Sequence, residues 1–151
     1  MMYTDKINVH LKAYMDNWAL YSSTPMRMIS CTEGGGWSIY SGTNIVFSCY
    51  DAGASDYVDA ISNIPWSSLE PGWHTFDLVF DGTNVKGYLD RELIATSANY
   101  SGAIKYNASN GIFAGCEAAG TETTGTTPYF TGKITAPLIW HGDRTVAINC
   151  Y

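Results

Sequence analysis

The stretch GWHTFDLVFDGTNVKGYLDRELIA, residues 72–95, reads as a strand, a turn, a strand, a second turn and the start of a third strand. His74, Phe76, Leu78 and Phe80 recur at every second position, with Thr75, Asp77 and Val79 between them. A period of two puts one set on a buried face of a sheet and the other set on the opposite face. Asp81-Gly82-Thr83-Asn84 and Asp90-Arg91-Glu92 interrupt the run, the first with residues that turn readily. The segment also carries a histidine and the carboxylates Asp77, Asp81, Asp90 and Glu92. It is therefore either a piece of chemistry or a piece of scaffold.

The same period extends outward. Ile7, Val9, Leu11, Ala13 and Met15 alternate with Asn8, His10, Lys12 and Tyr14. This predicts a half-buried strand over 7–15 whose other side faces water or a ligand. MRMISC (26–31) and WSIY (37–40) read as the next two strands, joined by TEGGG, where Gly34, Gly35 and Gly36 permit the positive φ of a tight hairpin. IVFSCY (45–50) and SDYVDAI (55–61) follow as strands, while NIPWSSLEPG (63–72), with Pro65 and Pro71, reads as a loop. Beyond residue 95, NGIFAGC (110–116) is a short strand and AAGTETTGTTP (118–128) a Thr/Gly-rich loop. YFTGKITAPLIW (129–140) is one long strand whose Pro137 favours an edge or a bulge, and RTVAINCY (144–151) is a closing strand. Short strands, regular turn signals and no convincing helix predict an all-β chain. No repeat or linker divides it, so residues 1–151 read as a single domain built as a two-sheet antiparallel sandwich.

Composition excludes several classes of function. Hydrophobic residues make up 46% of the 151 and charged residues only 15%, which suits a chain that buries one good core. The net charge is −6 and the eight Lys/Arg are scattered, so the clustered basic footprint of a nucleic-acid binder is missing. No apolar run is long enough to span a bilayer, and MMYTDKINVH has no apolar core behind a basic segment, so neither membrane insertion nor a signal peptide is expected. Cys31, Cys49, Cys116 and Cys150 form no C-x-x-C pair. A domain of this size does not depend on staples, so they are expected to be reduced, mostly buried thiols.

Catalytic patterns are equally sparse. His74 shares its face with Phe76, Leu78 and Phe80, which predicts a core histidine with one hydrogen bond. His10 and His141 are far apart in sequence, and neither H-x-H nor H-E-x-x-H occurs. There is no G-x-S-x-G to make a serine nucleophile. Trp37, Trp73 and Trp140 lie on strands and are expected in the core.

In chain order, Trp73-His74, the Asp81-Gly82 turn, Tyr88 and Asp90, Ile112 and Gly115, and Phe130, Gly132 and Ile134 form a series of motifs. That series resembles the laminin-G-like group of the concanavalin A-like lectin/glucanase superfamily, over residues 5–142. The resemblance implies a two-sheet antiparallel jelly-roll sandwich. It also implies a module of the kind found in bacterial surface and bacteriophage tail proteins, extracellular or on a virion. Two roles follow from it: a non-catalytic carbohydrate-binding or adhesion module whose partner is a glycan or cell-surface polysaccharide, or a structural module that contacts other subunits. Glucanase members of the superfamily set carboxylates at alternate positions of one strand, and no E-x-D-x-E run exists here. No enzyme activity is expected. For a sugar ligand, ring faces in loops are the natural contacts, which makes Trp18, Tyr21, Trp66 and Tyr129 the candidate ligand-binding residues. Relatives of this type commonly hold Ca2+ with loop carboxylates, and Asp51, Asp56 and Asp59 are the candidate set. The chain departs from the family at Asp90-Arg91, where D-G or N-G is usual. Arginine in a left-handed position costs about 1 kcal/mol, so another turn type is expected there. The family's usual first strand, ahead of residue 7, is also missing, and either a longer parent protein or RTVAINCY is expected to supply it.

Overall fold

Alternation in the sequence becomes alternation across two sheets. The computed structural model describes residues 2–4, 6–22, 26–32, 34–100, 102–106, 111–118, 125–126 and 129–142. Its strands begin with β1 (Met2–Thr4), β2 (Ile7–Met15), β3 (Arg27–Cys31), β4 (Trp37–Ser41) and β5 (Asn44–Asp51). They continue with β6 (Asp56–Pro65), β7 (Gly72–Phe80), β8 (Val85–Leu89), β9 (Glu92–Thr96) and β10 (Ile104–Tyr106). Short strands complete the set: β11 (Phe113–Ala114), β12 (Glu117–Ala118), β13 (Gly125–Thr126), β14 (Lys133–Ile134) and β15 (Leu138–His141). Two 3₁₀ turns, Trp18–Ser22 and Trp66–Ser68, stand between strands.

One antiparallel sheet runs β1-β10-β5-β4-β3-β11, with β6 on the other side of β5. The second runs β14-β2-β7-β8-β9, with β15 continuing the β14 side of β2. The result is the expected all-β, two-sheet jelly-roll sandwich. Ile7, Val9, Leu11 and Ala13 from β2 and Phe76, Leu78 and Phe80 from β7 meet Ile29, Trp37, Ile39, Phe47 and Cys49 from the other sheet in one buried cluster. Gly87 on β8 is required by this packing, since a Cβ there would overlap the Phe47 ring. Gly34 and Gly36 take φ of 70° and 76° in the β3–β4 connection, as the TEGGG reading requires. Cys31, Cys49 and Cys116 are free, buried thiols, and Trp37 separates the first two in register.

Four local expectations change. The segment 129–140 is two short strands rather than one. Between the pairs Ile134–Ala13 and Leu138–His10 the chain takes four steps against three on β2, so one residue bulges out beside Pro137. The β6 strand extends through Asn63–Pro65, which had read as loop, because Pro65 still pairs opposite Asn44 at the strand end. Met2–Thr4 forms a strand against β10, which the sequence had not announced. RTVAINCY and most of 118–128 lie outside the described residues.

The fourth change is the Asp90-Arg91 turn. Leu89 and Glu92 are paired, leaving a two-residue hairpin loop with φ of 49° at Asp90 and 75° at Arg91. Positive φ at both central residues is the primed turn that suits the twist of a hairpin, so the left-handed arginine is present after all. The Asp90 carboxylate holds it in place. Its Oδ1 accepts from the Thr75 N–H at 2.8 Å and from the Thr75 hydroxyl at 3.2 Å. Its Oδ2 lies 2.6 Å from His74 Nδ1. His74 therefore sits at the rim of the core with both ring nitrogens engaged, since Nε2 lies 2.9 Å from the Glu70 carbonyl oxygen.

Candidate functional site

The loop rings turn inward. Trp18 is 1% exposed, and Tyr21 and Trp66 are fully buried. Trp18 and Trp66 stack with centroids 5.8 Å apart, and Tyr21 meets Trp66 edge-on at 4.4 Å. Phe76 and Phe130 pack against the same group. The Trp66 indole N–H donates to the Asn44 carbonyl and the Tyr21 hydroxyl to the Met26 carbonyl, which fixes both polar tips inside. These rings plug one end of the sandwich, where the strands alone leave apolar edges uncovered. They present no ring face to a ligand, and this corrects three of the four candidate residues. Tyr129, the fourth, is 52% exposed.

The three aspartates do not share one face, although Asp51 and Asp56 are opposite each other in the β5–β6 register. Asp56 and Asp59 are three positions apart on β6, so they point to opposite faces. Asp59 accepts from the Tyr40 hydroxyl at 3.0 Å, while Asp51 is buried and accepts from the Gly53 N–H at 2.8 Å. Among the described residues no three His, Cys, Asp or Glu side chains are grouped to hold a metal ion.

What the fold does expose is the outer face of the second sheet. Trp73, expected in the core, is 52% exposed. Its position explains why: it has the parity of Thr75, Asp77 and Val79, not that of His74 and Phe76. Trp73 pairs across the sheet with Tyr14, and the rings lie 5.5 Å apart and tilted by 56°. Lys133, opposite Tyr14 on β14, places its ammonium 5.1 Å from the Tyr14 centroid. The Tyr14 hydroxyl donates to Asp16 at 2.6 Å, and this contact raises the phenol's pKa. The next rung along β2 and β7 is Lys12 and Thr75.

The rung after that crosses five strands. It runs Leu138, His10, Asp77, Tyr88, Leu93, from β15 through β2, β7 and β8 to β9. His10 Nδ1 lies 2.8 Å from Asp77 Oδ1. Leu138 and Leu93, at the two ends, are exposed. The face thus combines an aromatic pair, apolar edges and a polar centre on rigid strands. Strand alternation alone was the signal that could have found Trp73, Tyr14 and His10. The His10–Asp77 contact depended on register, which no local pattern states.

Known proteins support the fold. No protein-family model and no curated protein matches the chain. Among solved structures, it superposes on domain 4 of an extracellular GH43 arabinanase from Geobacillus stearothermophilus, solved in complex with arabinotriose. There the TM-score is 0.64 at 16% identity, covering 94% of this chain and 63% of that one. It also superposes on domains LG4-5 of the mouse laminin alpha1 chain, with a TM-score of 0.57 at 8% identity, covering 89% of this chain and 34% of that one. The chain spans less than two thirds of each of these solved chains. The likeness is one of fold: two antiparallel sheets packed as a β-sandwich.

Proposed function

We propose that the protein is a non-catalytic carbohydrate-binding module, and that the outer face of the second sheet is its binding surface. The observation that carries this reading is the half-exposed Trp73 ring beside Tyr14, with Lys12, Thr75 and His10 on the neighbouring rungs. A pyranose or furanose has an apolar face that stacks on an aromatic ring and hydroxyls that need planar or charged partners at its edge. Same-face rungs lie about 7 Å apart, so successive residues of a linear oligosaccharide meet successive rungs. The arabinotriose complex of the structurally similar arabinanase domain supports a saccharide as the ligand class. The context that fits is a module within a larger extracellular, cell-surface or virion tail protein.

A panel of soluble oligosaccharides, arabinotriose included, titrated by calorimetry tests the reading. Trp73→Ala is expected to lower affinity on the order of tenfold or more, the loss of one stacking ring and its contacts. Unchanged affinity in Trp73→Ala would remove Trp73 as the stacking platform of the site.

The exposed Leu93 and Leu138 favour a second reading, an assembly module that docks a protein subunit on this face. Binding of a protein partner with no response to any saccharide would decide for it.

A further inference from the structure

Asp77 is only 8% exposed although it lies on the outer side of its sheet. Partly buried carboxylates need a reason, because burial penalises the charge unless donors satisfy it. One of its partners is His10, at 2.8 Å across the strand pair. The arrangement leaves His10 Nε2 without a partner among the described residues, on a ring whose side chain is 20% exposed. A carboxylate accepts only, so the nitrogen facing it carries a hydrogen. In the neutral ring the outward Nε2 is then a lone-pair acceptor, held in one tautomer and one orientation.

Resting on the saccharide reading above, we propose that His10 is the specificity-determining acceptor of this face. Its Nε2 takes a hydrogen bond from a ligand hydroxyl, and Asp77 is the residue that positions it. The ligand class is a hydroxyl-bearing saccharide whose donor lies one rung beyond Lys12–Thr75 when its apolar face rests on Trp73 and Tyr14. The groups that face the imidazole are Asp77 on β7, Tyr88 on β8 next to Asp77, Lys12 on β2, and the Lys86 ammonium, which Asp81 already holds. None of them replaces the Nε2 lone pair. A side chain without an acceptor at position 10 leaves the ligand hydroxyl without its partner, so ligand binding weakens.

Two measurements test this. In the first, affinity for the best saccharide of the panel is measured for the wild type, His10→Ala and His10→Gln. His10→Ala is expected to lose affinity on the order of tenfold. His10→Gln, which keeps an acceptor, is expected to bind within a few-fold of the wild type. In the second, nitrogen NMR of the free protein reads the His10 tautomer at high pH. The Nδ1–H form is expected in the wild type, and a mixture in Asp77→Asn, where the amide constrains the ring less. Wild-type affinity in His10→Ala, no recovery in His10→Gln, or an Nε2–H tautomer in the free protein would each overturn the proposal. If Trp73→Ala binds normally while His10→Ala binds weakly, the stacking platform is wrong and the His10 assignment stands. If no saccharide binds, both fall.

Discussion

Gly87 and Arg91 make opposite demands on a side chain. At Gly87 the two sheets approach so closely that a methyl group would sit inside the Phe47 ring. Gly87→Ala is therefore expected to destabilise by about 1–3 kcal/mol, the usual cost of overpacking, read from urea unfolding. At Arg91 the backbone asks for less side chain, since φ is 75°. Arg91→Gly is expected to stabilise by about 0.5–1 kcal/mol, because relief of the left-handed strain outweighs the added freedom of the unfolded chain. Two carboxylates in the same hairpins set the acid limit. Burial pushes Asp81 up, but the Lys86 ammonium and the Asn84 and Thr83 N–H groups outweigh it and hold the carboxyl at about 2. Asp90 is also lowered: burial acts upward, and the Thr75 N–H, His74 and the Thr75 hydroxyl act downward more strongly. A carboxylate depressed in the folded state binds fewer protons there than in the unfolded chain. Its contribution is present above its unfolded pKa and is lost as pH falls through the folded value. Stability is thus expected to drop from about pH 4 toward about pH 2, and Asp81→Asn with Asp90→Asn to flatten that limb in thermal melts across this range.

Among the elements, the two 3₁₀ turns deserve the name of plug rather than binding loop. Trp18 and Tyr21 from one and Trp66 from the other close the end of the core. Trp66→Ala is expected to cost about 3–5 kcal/mol in unfolding experiments, as a large buried ring does. The fraction that remains folded is expected to bind saccharide as before, which separates the plug from the sheet face. Alternation and turn chemistry made β2, β7 and β8 readable, because each alternates between a buried and a wetter face. The break at Pro137 and the continuation of β6 through Pro65 were not readable, since proline tolerates both a strand end and a loop. Pairing with Ala13, His10 and Asn44 decided between them.

Across the whole molecule, the three described cysteines belong to the interior. Burial pushes the Cys31 thiol up to about 11 and raises Cys49 and Cys116 as well. Cys31 and Cys49 are expected to resist alkylation in the native protein and to react fully in denaturant, as peptide mapping after iodoacetamide would show. The all-β class, the sandwich and the inward face of β7 were legible in residues 72–95 and their repeats along the chain, because a period of two is a local property. The site was not. Whether a loop tryptophan faces water or core depends on what the ends of the sheets leave uncovered, and Trp18 and Trp66 are drawn in by the same burial that drives the fold. The parity of Trp73 points outward, and its position on a strand alone led to the core expectation; its company is not a matter of parity, since Tyr14, His10 and Asp77 meet through the register of β2 against β7. Local pattern specifies which residues alternate, whereas register and packing specify which of them meet and which stay outside, because those contacts join residues more than 50 positions apart along the chain, as with the His10–Asp77 separation of 67.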